Sequence, residues 1–500
     1  MTIKQKDDFS LKQEVELSEK EISSFKKRGY NDDLLPKTKE KRHMSTMNYF
    51  TLWMGSVHNI PNYTAVGGFL YLGLSPLGVM SALVISSMAV AALLVLNGKA
   101  GSTYGIPFSM HLRATYGDVG AKLPGFLRGV VVAIAWFGLQ NYTASLALLI
   151  LIGKIWPDFL LLGSGFSFFG LSFPGLISFT VFWFINLLIG LGGGKALNKF
   201  TAILNPLIYV VFIGMAIWAI RVSGGIMSIL NFTPEITQSA SSSKLLTYLI
   251  IINAVLAVWA GPGASVSDFT QNAVSTKSQR IGQSTSLVVG YTIFAFSSVS
   301  ILIGGSIYYG VDEWNVLNIV NKWDHFPAML LSIIVLLMTT ISTNATGNIV
   351  PAAYQLSALF PKQINYKKGV VIASVISFLM MPWKLMDNSE SIFNFLNMIG
   401  ATLGPVAGVM LAHYFFVLKE KINLDELYMD QTKNNQGNSY KGINKEAYIA
   451  TITALLISLL GQVNDSFSLI SKLSFLIGFV MSFSIYLVLK KKTGHKKGKI

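Results

Sequence analysis

Long apolar runs constrain this chain more than any other feature. About twelve stretches, beginning near Met47 and ending near Leu489, each approach the roughly 20 residues a helix needs to cross a bilayer. In hydrocarbon an open strand leaves its N–H and C=O groups unpaired, so runs of this length predict helices. The expected fold class is an all-α membrane protein with about twelve transmembrane helices. Composition agrees, with 52% hydrophobic and only 13% charged residues, more apolar surface than a soluble fold can hide.

Charge placement sets the expected orientation. With the amino terminus inside and twelve spans following, 33 of the 39 Lys and Arg fall on the cytoplasmic side, as the positive-inside rule requires. The net charge of +15 therefore reads as membrane topology. The basic tails lack the interleaved aromatics of a nucleic-acid surface, so no nucleic-acid partner is expected. Residues 1–46 form a polar amino-terminal tail without the apolar core of a cleaved signal. Cysteine is absent, which removes disulfides and thiol chemistry. The six histidines form no His-Glu-x-x-His, and carboxylates do not cluster, so neither an enzyme nor a metal centre is expected.

Three spans carry irregular composition. The first (48–72) contains Gly55, His58, Asn59 and Pro61; the sixth (245–265) runs Trp259-Ala-Gly-Pro-Gly; the eighth (326–355) runs from Thr339 to Asn348 through Ser, Thr, Asn and Gly. Proline lacks an amide donor and glycine admits unusual dihedrals, so the first and sixth are expected to break midway. Freed backbone groups survive in a bilayer only where protein or water satisfies them, and so point to a buried polar site. The interval of five spans between the two breaks fits two five-helix repeats of inverted topology, residues 47–222 and 223–417. A polar cytoplasmic linker (418–445), two additional helices (446–489) and a basic tail (490–500) complete the division. Ordinary proline kinks at Pro61 and Pro262 are the alternative.

Almost no ionised side chain falls near a span centre, so the expected cargo is uncharged. Trp136 and Gln140 lie four apart on one face of the third span. Trp259, Asn348 and Asn59 come from the three irregular spans. Two indoles can clamp a planar ring, and three amides offer the donors and acceptors that a ureide, hydantoin or nucleobase edge demands. Packing of the indoles and helix-to-helix bonding of the amides are the simpler readings. Thr339, Ser342 and Thr343 could join freed carbonyls around a hard cation, or bond back to their own helix. His58 could carry a proton or satisfy backbone groups.

At these residues the chain resembles the nucleobase-cation symporter-1 family of purine, cytosine and allantoin permeases. The likeness covers nearly the whole chain and is most specific in residues 48–63, 136–140, 267–272, 339–348 and 403–408. It implies the sodium–amino-acid-symporter-like fold, alternating access, and cation-coupled uptake of a small neutral heterocycle such as allantoin. Substrate would lie between Trp136 and Trp259, bonded by Gln140, Asn348 and Asn59. A coupling cation, Na+ or H+, would sit among main-chain oxygens near Gly55 and His58 and the oxygens of Thr339, Ser342 and Thr343, with Leu396 on a lid. Asn59 stands where the family's sodium-hydantoin symporter has glutamine. The expected setting is the bacterial plasma membrane, with both termini cytoplasmic, no cofactor, and a monomer as the working unit.

Overall fold

The computed structural model describes residues 14–233, 243–312, 315–360, 363–385, 389–430 and 437–497, without the side chains of 193–203, 205, 206, 389, 390 and 494–497. Nearly all ordered segments are helical. Eight of the described helices are long and apolar enough to cross a membrane: Pro76–Tyr104, Lys122–Ile155, Phe173–Gly192, Thr276–Tyr309, Phe326–Leu359, Ser391–Val417, Lys445–Val463 and Ser474–Thr493. Leu207–Val222 and Lys244–Val258 are shorter apolar helices.

The first span does not reach the length threshold because it is split. Its halves are Thr46–Val57 and Ile60–Leu70, and His58 and Asn59 form the extended link between them. Proline at the second position of Ile60–Leu70 costs no hydrogen bond, because the first N–H groups of a helix have no intrahelical acceptor. The sixth span ends its first half at Val258, turns at Trp259 and resumes as Ala260–Ser265 and then Ser267–Thr270. The eighth is continuous but contains a π-helical turn at Ala345–Ile349. π-turns also occur at Leu127–Val132 in the third span and Ala412–Val417 in the tenth.

One expectation needs correction. The ninth span, expected over residues 368–386, is the helix Tyr366–Leu379 and ends short of that bound, because Met381 takes a positive φ of 49° ahead of Pro382.

The amino-terminal segment is more than a polar tail. Ser18 caps the helix Glu19–Lys27, and Leu17, Ile22, Phe25, Tyr30 and Leu35 are buried against Tyr104, Met110, Tyr414 and Tyr428. Arg28 reaches the 418–445 segment, pairing with Asp425 at 2.7 Å and donating to the Tyr428 carbonyl. This end of the molecule is the tail face below. The main core threads the broken first and sixth spans between the third, seventh, eighth and tenth.

Candidate functional site

The three irregular segments meet. A cavity of about 40 Å³ is lined by Asn59 at the first break, Trp259 and Pro262 at the sixth, Thr343, Thr346, Gly347 and Asn348 at the eighth, and Trp136 and Gln140 from the third span. All five residues expected to hold substrate therefore line one cavity. None of its described lining side chains is charged. A water needs about 10–15 Å³ of such space, so this conformation has room for only a few.

The two indoles differ in what they leave free. Trp259 donates Nε1–H to the Tyr291 hydroxyl at 2.6 Å, while the Trp136 Nε1 is buried without a partner. Phe395 from the tenth span meets Trp136 edge to face, centroids 4.9 Å apart, and the adjacent Leu396 is fully buried. That span therefore already closes over the third.

The amides are also unequal. The Gln140 Oε1 has no partner. Asn348 donates Nδ2–H to the Asn344 Oδ1 at 2.9 Å; Asn344 in turn donates to the Phe137 carbonyl and the Asn141 Oδ1. This relay fixes Asn348 with its acceptor oxygen free of the chain Asn141–Asn344–Asn348. Asn59 is largely spent on the break itself: its Oδ1 caps the second half, Ile60–Leu70, by accepting from Asn62 N at 3.0 Å, and its Nδ2 donates to the Ser56 carbonyl.

The residues expected around a cation lie on facing elements, since the first half of the first span, Thr46–Val57, packs against the eighth. Gly55 and His58 are buried at the end of that half. The hydroxyls of Thr339 and Thr343 bond back to their own helix, at the Leu336 and Thr339 carbonyls. Ser342 is buried, and its carbonyl accepts from Thr346. The His58 ring faces the Tyr63 hydroxyl and stacks on Phe212 at 4.7 Å. Thr340, which sequence reasoning passed over, approaches Ile60 N across the break at 3.5 Å.

Sequence reasoning missed three further groups. Trp53 lines the cavity, meets Trp259 edge to face and donates to Gln283; it lies one turn and a half before the break. Asn344 was findable from its i, i+4 relation to Asn348. The third group is Arg128, near the start of the third span and so outside the span centres expected to lack charge. It is fully buried, and its guanidinium donates to the Gly261 and Gly347 carbonyls, each at 2.7 Å.

A family model described as "Permease for cytosine/purines, uracil, thiamine, allantoin" matches residues 36–482. An Escherichia coli K12 protein that carries the provisional name of allantoin permease is 55% identical over 95% of this chain and 97% of its own length. The allantoin permease of Bacillus subtilis 168 is 36% identical over 94% of this chain and 95% of its own. Among solved structures, Mhp1, a nucleobase-cation-symport-1 family transporter in a closed conformation with bromovinylhydantoin bound, superposes with a TM-score of 0.74 at 20% identity, covering 93% of this chain and 96% of that one. Its inward-facing conformation gives 0.71. The fold is therefore the sodium–amino-acid-symporter-like one, with two inverted five-helix repeats, in a multi-pass membrane protein. This chain belongs to the permease family for cytosine/purines, uracil, thiamine and allantoin, the nucleobase-cation symporter-1 family.

Proposed function

We propose that this permease imports allantoin, or a closely related hydantoin or ureide, by cation symport through alternating access. The observation that carries the reading is the uncharged cavity lined by Trp136 and Trp259 with the amides of Gln140, Asn348 and Asn59. A flat ring slots between aromatic faces, and the unpartnered Gln140 oxygen and Trp136 N–H match its alternating donor and acceptor edge. The names of the two most similar bacterial relatives cited above agree with this cargo.

Sodium is the proposed coupling ion, held by main-chain oxygens of Gly55 and His58 and by Thr339, Ser342 and Thr343, with protons as the alternative. Because Thr339 and Thr343 already donate to carbonyls of their helix, their oxygens remain available as acceptors to a cation. Leu396 and Phe395 act as the lid, the repeats 47–222 and 223–417 move against each other, and both termini face the cytoplasm of a bacterial cell. The protein works as a monomer.

Uptake of radiolabelled allantoin into vesicles, with sodium and proton gradients imposed separately, tests the reading. Accumulation driven by sodium alone is expected. Unlabelled hydantoin, uracil and cytosine as competitors rank the cargo. Saturable binding with no accumulation under either gradient would make the protein a receptor and overturn the proposal.

A further inference from the structure

Arg128 is the buried charge for which the substrate reading has no use. A guanidinium buried in a span is costly unless its N–H groups are bonded. Here the acceptors are main-chain carbonyls from irregular backbone: Gly261, two residues past the turn in the sixth span, and Gly347, inside the π-turn of the eighth. Nε also approaches the Ser265 hydroxyl at 3.2 Å. A Cβ on Gly261 would lie 3.2 Å from the guanidinium carbon, so glycine is what admits this approach. The arginine thus ties the sixth span to the third and the eighth.

The Arg128 Nη1 and the Asp268 Oδ2 are both buried without a partner. Asp268 follows Ser265 on the same arm and holds the Phe108 N–H at 2.9 Å with its other oxygen. Asp268 lines a second cavity of about 180 Å³, with Pro107, Gln271, Gln355 and Ala358, beneath the amino-terminal segment on the tail face. Gly347 lines the substrate cavity. The guanidinium therefore stands between the two cavities, on the route by which cargo would leave toward the tail face.

We propose that Arg128 is a latch across that route, closed when it binds the Gly261 and Gly347 carbonyls and open when Asp268 takes the guanidinium instead. Release requires the sixth span to move from the third and eighth, which breaks the bond to Gly261. A charge left buried without acceptors would make the open state prohibitively unstable. The idle carboxylate oxygen on the moving arm supplies the replacement partner. Arg128 is on this account a positioning residue that sets the balance of conformations. The inference rests on the transport reading, but its test needs no cargo.

The chain contains no cysteine, so Ala358→Cys introduces a single thiol in the tail-face cavity. Its modification rate by a hydrophilic maleimide, measured on the full chain in lipid nanodiscs, reports opening. Because Arg128→Gln removes the guanidinium from both states, Asp268→Asn is expected to leave the modification rate unchanged in that background. Arg128→Lys keeps a charge for Asp268 but cannot fork to both carbonyls, and should speed modification about tenfold. Asp268→Asn, which removes the open-state partner, should slow modification. Ser265→Ala should speed it and carries the test with Asp268→Asn should Arg128→Gln fail to fold. Unchanged rates for Arg128→Lys, Asp268→Asn and Ser265→Ala in the otherwise native chain, or changes of the same sign for the last two, would overturn the latch. Failure of allantoin uptake in the unmutated chain would sink the transport reading and leave this measurement standing.

Discussion

Side chains in the cavity divide into those that hold the fold and those left free for a guest, and mutation should separate them. Gln140 has a free buried Oε1, so Gln140→Ala removes nothing that the empty protein uses. It should weaken allantoin binding at least about tenfold through lost hydrogen bonds while leaving the melting temperature in place. Asn59 is the opposite case, because its amide caps the second half of the first span. Asn59→Ala should cost about 1 kcal/mol of stability as well as affinity, whereas Asn59→Ser keeps a capping oxygen and should recover the stability. Thermal unfolding paired with equilibrium binding on the same variants decides both. If Gln140→Ala melts lower and binds normally, the amide is structural glue and the site assignment is wrong.

Helices in this protein approach closely where glycine permits it. Gly400, Gly404 and Gly408 recur every four residues on the tenth span and form one stripe against the last span. A Cβ on Gly404 would come 2.6 Å from the Phe475 carbonyl oxygen, and backbone cannot step aside as a flexible side chain could. Gly404→Ala should therefore cost about 1–3 kcal/mol as an overpacked contact, read as a lower melting temperature with little change in allantoin affinity. At this scale much was legible: Pro61, the Gly-Pro-Gly after Trp259 and the hydroxyl-rich 339–348 segment all mark irregular backbone, because each residue type alters the helix in a known way. Arg128 was not legible, since a basic residue near the end of an apolar run looks like an interfacial charge until the fold brings Gly261 and Gly347 to it. The buried amino-terminal segment was equally hidden. Leu17, Ile22, Phe25, Tyr30 and Leu35 are interspersed among charges, and only tertiary packing against Tyr104 and Tyr428 identifies them as core.

At the level of the whole molecule, a cavity of about 40 Å³ is too small for a heterocycle, so binding has to favour a conformation with a larger one. Phe395 packs on Trp136, and Arg128 bonds to Gly261 and to Gly347, so contacts from the tenth and third spans brace the residues around that cavity. A ligand shifts such a balance only by its difference in affinity for the two states, and a coupled cation that favours the same state must raise ligand affinity by the factor that ligand raises the cation's. This gives a prediction about stability without any transport measurement. At a concentration of one hundred times its dissociation constant, a ligand stabilises the native state by about 2.7 kcal/mol, so allantoin at fixed concentration should raise the melting temperature markedly in sodium and much less in potassium. Ser342→Ala combined with Thr343→Ala should erase the difference between the two salts while leaving the potassium value unchanged. Equal stabilisation in both salts for the unmutated chain would remove sodium as the coupled ion. A stabilisation that then varied with pH would transfer the role to the proton, with His58, buried against Tyr63 and Phe212 at the first break, as the group to substitute next.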